Sequence, residues 1–97
     1  MEKLTTFGFD FTVADKFGIK AIKDTYKRAI RDAKCLGYKA QTELYIILNW
    51  KIWEHWEKKN YAMAKVYDVL WKDYYEKLRP QLAKSVEFAE YFYETMD

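Results

Sequence analysis

The sequence predicts an all-α protein: a small helical bundle of three long helices plus a C-terminal helix, with a short N-terminal helix and an extended aromatic arm. Three observations carry this. The 97 residues include only 3 Gly and 1 Pro, too few for a chain of many short strands and turns. With 51% hydrophobic and 33% charged residues, the chain has apolar surface enough to exclude disorder. Apolar side chains recur at three- and four-residue spacing along most of its length, the period of a helix with one buried face. The length suits a single helical domain, 1–97, with one core.

In order, Leu4 to Phe11 alternates Phe7, Phe9 and Phe11 around Gly8 and Asp10. No second strand-like stretch can pair with it, so it reads as an arm whose aromatic rings plug the helical core. Thr12 to Asp15 matches a capping box, in which Thr12 caps the first turn and Asp15 reaches back to its amide, opening a short helix to about Phe17. Gly18 permits a bend. The second helix sets Ile19, Ile22, Tyr26, Ala29, Ile30 and Ala33 on one face and stops at Leu36-Gly37, with Gly37 as C-cap and Lys34 complementing the dipole.

The central helix starts between Lys39 and Thr42 and ends around Lys58 to Asn60. It carries three of the four tryptophans. At about 100° per residue, Tyr45, Ile46, Leu48, Ile52, Trp53 and Trp56 form one apolar arc opposite Glu43, Lys51, Glu54, Glu57 and Lys58. Asn49 falls inside that arc, which predicts a buried, hydrogen-bonded amide. From Tyr61 the third long helix turns Met63, Val66, Tyr67, Leu70, Trp71, Tyr74 and Leu78 inward. Arg79-Pro80 predicts its end near Lys77 or Leu78. Ser85 caps a last helix with Phe88, Ala89, Phe92, Tyr93 and Met96 inward and Glu87, Glu90 and Glu94 outward.

Several function classes close at this level. One Cys35 and one His55 allow neither an intrachain disulfide nor a Cys/His zinc site from one chain. No Gly-rich phosphate loop or nucleophile elbow is present, so the sequence offers no cofactor site and no catalytic residue. Glu54, His55 and Glu57 read as a solvated rim, because neighbours on a helix point about 100° apart. No apolar run approaches the roughly 20 residues that span a bilayer, and Met1 to Asp15 lacks a signal-like pattern; the expectation is a cytoplasmic protein that does not enter membranes.

Two surfaces stand out. Lys16, Lys20, Lys23, Lys27, Arg31 and Lys34 align within about 80° of helix arc, a ridge for an anionic partner. Residues 1–40 carry 9 Lys/Arg against 5 Asp/Glu, whereas 41–97 carry 8 against 10. The ridge holds no aromatic residue, so nucleic acid would be gripped there by phosphate and without sequence preference. Ile47, Trp50, Tyr61 and Tyr75 lie off the core faces and form a candidate apolar interface, for an unidentified protein or for a second copy of the chain.

The stretches FTVADKFGIKAIKDTYKRA and TELYIILNWKIWEHWEKK resemble a set of small uncharacterised proteins of Firmicutes, often encoded on conjugative or phage-like mobile elements. The resemblance runs from Thr5 to about Trp71 and leaves the stretch Lys77 to Ser85 and the acidic tail outside it. It implies no catalytic or binding residue. It does imply a context, that of accessory factors which bind and modulate another macromolecule. The sequence therefore points to a non-enzymatic protein-interaction or regulatory module, with non-specific nucleic-acid binding through the ridge as the alternative.

Overall fold

The computed structural model describes residues 7–96. It contains five helices, α1 (Thr12–Phe17), α2 (Ile19–Leu36), α3 (Tyr38–Glu57), α4 (Tyr61–Lys84) and α5 (Val86–Met96), and no strand among the described residues. Helix α3 is the centre of the bundle, packing against α2, α4 and α5. The Leu4 to Thr6 part of the expected arm lies outside the described residues. The rest behaves as an arm should: Phe9 and Phe11 are buried in the core, Phe11 meets the Tyr67 ring edge-on with centroids 5.7 Å apart, and the Phe7 N–H donates to Glu43 Oε2 at 2.9 Å.

Helices α1 and α2 are joined by Gly18 alone, and α2 and α3 by Gly37 alone. At φ 101°, ψ −172° and φ 110°, ψ −178°, both glycines occupy a backbone region that residues with a Cβ essentially do not enter. Each sharp reversal thus requires glycine. Gly37 also donates its N–H to the Ala33 carbonyl at 3.0 Å, closing α2 as expected. With no further linker residue, α3 begins at Tyr38, slightly earlier than the sequence suggests.

The α2 core face holds Ile22, Tyr26, Ala29 and Ala33, while Ile19 stays exposed. Helix α4 buries Tyr67, Leu70, Tyr74 and Leu78 as expected, but it does not stop before Pro80; it continues to Lys84. The reason is packing. Pro80 removes one backbone hydrogen bond, yet the turn beyond it buries Leu82 and lets the Gln41 amide donate to Gln81 Oε1 at 2.9 Å. Ser85 caps α5 through a 3.1 Å bond from the Phe88 N–H to its Oγ. Phe88 and Phe92 are buried, whereas Tyr93 and Met96, expected inward, are exposed. Tyr45, Trp71, Tyr75 and Phe92 form an aromatic cluster between α3, α4 and α5.

Two local expectations fail for one reason, that polar side chains find partners far along the chain. The first is the capping box: Asp10 Oδ1, not Thr12, accepts the N-terminal amide of α1, from Thr12 N–H at 2.9 Å, which with the local hydroxyl holds the Asp10 carboxyl below its usual range. Asp15 points into the bundle instead. The second is the phase of α3. Its buried residues are Ala40, Gln41, Thr42, Glu43, Leu44, Ile47, Leu48, Lys51, Ile52 and His55, a face centred about a third of a turn from the predicted arc. Ile47 is therefore core, Asn49 is only half-buried, and Trp53 and Trp56 face solvent.

Candidate interaction surfaces and a buried polar cluster

The shift of α3 by about a third of a turn creates both notable features of the molecule, a charged cluster inside and a tryptophan stripe outside. Inside, Asp15 of α1 meets three partners at once. Its Oδ2 lies 2.6 Å from Lys51 Nζ and 3.2 Å from His55 Nε2, and its Oδ1 accepts the Tyr67 hydroxyl at 2.5 Å. Lys51 Nζ also donates to Glu54 Oε2 at 3.0 Å, and Lys58 reaches the same oxygen at 3.3 Å. The His55 ring stacks on Tyr67, centroids 5.5 Å apart and planes 12° from parallel. Because an ionised carboxylate only accepts, His55 donates from Nε2. Its Nδ1 is then left buried without a partner among the described residues.

The electrostatics follow from these distances. Burial alone would pull the Lys51 pKa down, but the bonds and charges of Asp15 and Glu54 outweigh it and raise the pKa. Burial would raise Glu54, and Lys51 and Lys58 more than reverse that. For Tyr67, burial and the bond to Asp15 both act upward and hold the phenol protonated well past its ordinary range. Glu57, which adjoins these residues in sequence, is exposed and takes no part.

Asp15, Glu54 and His55 place three donor atoms within 4.8 Å of one another, spacing that a metal ion could span. The Lys51 ammonium, however, already bonds both carboxylates and supplies the positive charge a cation would bring. The principal surface grooves are lined by other residues: one between α4 and α5 at Tyr75, Arg79 and Tyr93, and one of about 370 Å³ between α2 and α4 at Ile19, Lys23, Val66 and Val69. The cluster thus acts as a clamp that fastens α1 to α3 and α4. Sequence reasoning misses it because Lys51 and His55, four residues apart, are assigned to solvent by their polarity. The signal that was available is that they share the helix line of Leu44 and Leu48.

Outside, Trp50, Trp53 and Trp56 are 42%, 60% and 51% exposed, and their three-residue spacing sets them along one side of α3. Ile46 and Asn49, both half-buried, and exposed Glu57 border the stripe. Tyr61, exposed at the start of α4, packs edge-on against Trp56 with centroids 4.6 Å apart. Of the apolar interface read from sequence, the structure brings Trp50 and Tyr61 to this stripe. It removes Ile47 to the core and Tyr75 to the aromatic cluster with Tyr45 and Phe92.

The cations of the basic ridge stay on the surface, but the Gly18 joint divides them between two helices. Lys16, Lys20, Lys23, Lys27, Arg31 and Lys34 are all exposed, with Lys16 on α1 and the other five on α2. Lys20 pairs with Asp24 at 3.5 Å, both side chains well exposed, a contact worth little against solvent. No helix among the described residues is long and apolar enough to cross a membrane. Compared with known protein families, with curated proteins and with solved structures, the chain finds no match.

Proposed function

We propose that this protein is a non-enzymatic interaction module, a cytoplasmic accessory factor of the mobile-element type, whose contact surface is the tryptophan stripe of α3. The observation that supports the reading is the inverted partition of that helix, which buries Glu43, Lys51 and His55 and leaves three tryptophans in water. Tryptophan is ordinarily well buried and is enriched at interface hot spots. At about half exposure each indole leaves on the order of 100 Å² uncovered. Covering all three contributes about 7 kcal/mol at 25 cal/mol per Å². Association itself costs about 4 to 15 kcal/mol, so the stripe anchors a complex whose affinity is set by the residues around it.

Capture of binding partners from the source cell, with wild-type protein and with Trp50→Glu/Trp53→Glu, tests this. The expected result is a specific macromolecule retained by the wild type and lost by the variant; an identical retained set refutes the stripe. A second reading is favoured by the exposure of all six ridge cations, namely phosphate-led binding of nucleic acid. Six phosphate contacts imply that log K falls with log salt at a slope of about −5, and a flat salt dependence removes that reading.

A further inference from the structure

The stripe that supports the proposed function has an internal symmetry that selects its occupant, and the inference drawn from it rests on that function. Trp50, Trp53 and Trp56 are spaced symmetrically about Trp53. If two copies of α3 cross antiparallel with their Trp53 rings nearest a two-fold axis, every residue a given number of positions after 53 faces the one as many positions before it in the other copy. Trp56 then meets Trp50, and Glu57, the last residue of α3, meets Asn49. No like charges face each other. The Glu57 carboxylate is set opposite an amide that can donate to it, which gives half-buried Asn49 a role at the edge of the stripe. A parallel crossing has none of these advantages, because it places Glu57 against Glu57.

Size sets the strength of the contact. Three half-exposed indoles amount to about 300 Å², the size of the largest apolar patch on a typical monomer, which is often functional. That is under half of the roughly 800 Å² that a standard interface buries on each side. The bordering Ile46, Asn49 and Glu57 extend the contact over about 16 Å of α3, and Tyr61 adds the start of α4 beside Trp56, which places the contact among small, reversible interfaces. We propose that the tryptophan stripe is a two-fold homodimer interface, occupied by a second copy of this chain crossing antiparallel about Trp53, and that the dimer is reversible at about micromolar concentration.

Sedimentation equilibrium of the full chain from about 1 to 500 μM tests it, with wild type and Trp53→Glu. The wild type is expected to show a monomer–dimer equilibrium. Trp53→Glu, which sets two carboxylates together at the axis, is expected to weaken it at least about 100-fold, or 2.7 kcal/mol at 1.4 kcal/mol per tenfold, with an unchanged helical spectrum. Orientation is read in a Cys35→Ser background with a short thiol cross-linker: Trp53→Cys is expected to link to itself, and Trp50→Cys to Trp56→Cys in preference to either alone. A monomeric wild type, a dimer indifferent to Trp53→Glu, or Trp50→Cys linking mainly to itself overturns the proposal. A monomer whose Trp53→Glu variant still loses a different cellular partner overturns only the homodimer. A monomer in which the substitution changes no association overturns the interaction reading as well.

Discussion

Replacing Asp15 by alanine tests whether the buried cluster holds α1 in place. The substitution removes the carboxylate that lies 2.6 Å from Lys51 and 3.2 Å from His55 and accepts the Tyr67 hydroxyl. The Asp15 and Lys51 side chains are only 16% and 9% exposed, so the pair belongs with buried ion pairs, where removing one partner costs about 3 to 5 kcal/mol. Lys51 keeps Glu54 at 3.0 Å, which reduces its share of the loss. Tyr67, wholly buried, loses its acceptor at a cost of about 1 to 3 kcal/mol. These effects overlap, and a net loss of about 3 to 4 kcal/mol is expected. For a domain of this size that lowers Tm by roughly 12 to 30 °C, a large part of a total stability of about 5 to 15 kcal/mol. Urea unfolding followed by circular dichroism measures it. Asp15→Asn, which keeps an acceptor for Tyr67 but removes the charge, should fall between alanine and wild type. A loss below about 1 kcal/mol for Asp15→Ala, the value of an exposed ion pair, would show that the cluster clamps nothing.

Alkaline pH should unfold the protein. Tyr26, Tyr67 and Tyr74, held protonated first by burial, and Lys51, raised by its carboxylate partners, all keep protons in the fold that the unfolded chain releases near pH 10. Their contribution is complete below about pH 10 and declines as pH rises beyond it, which a pH series of denaturation midpoints will reveal; constant midpoints to pH 11.5 contradict it. Reversing Lys20, Lys23, Lys27 and Arg31 to Glu should abolish binding to any anionic partner while leaving the helical spectrum intact, and unchanged binding returns the ridge to a solvated face. Pro80→Ala should stabilise by about 2 kcal/mol, since an interior proline costs about 3 kcal/mol or more and stiffens the unfolded chain by up to about 1; thermal unfolding reads the difference.

Much of the fold is legible wherever one face of a helix is plainly apolar. Ile22, Tyr26, Ala29 and Ala33 phase α2, Tyr67, Leu70, Tyr74 and Leu78 phase α4, and Ser85 marks the start of α5, because in each the determinant is local. Helix α3 has almost no hydrophobic asymmetry, and its orientation is decided by partners 36 to 52 residues away for Glu43, His55 and Asp15. Polarity is then a poor guide to exposure. Leu82 and Gln81 likewise hold α4 past a proline that, read locally, ends it. The tryptophan stripe was hidden by the same rule applied in reverse, since three indoles on one helix read most simply as core.

The single-glycine joint at Gly37 has a straight alternative. Were residue 37 to take helical angles, α2 and α3 would fuse into one rod of 39 residues, about 58 Å long at 1.5 Å per residue, and each half of the bundle could then complete itself with the other half of a second chain. Glycine works against this twice, by tolerating the folded-back angles and by being a poor helix former, at about 1 kcal/mol relative to alanine. Gly37→Ala inverts both preferences without any steric contact, since nothing lies within 4 Å of the added methyl. A single methyl group at this joint thus shifts the chain away from folding back on itself and toward exchanging helices with its neighbour, and size-exclusion chromatography after refolding at high and low concentration separates the two forms.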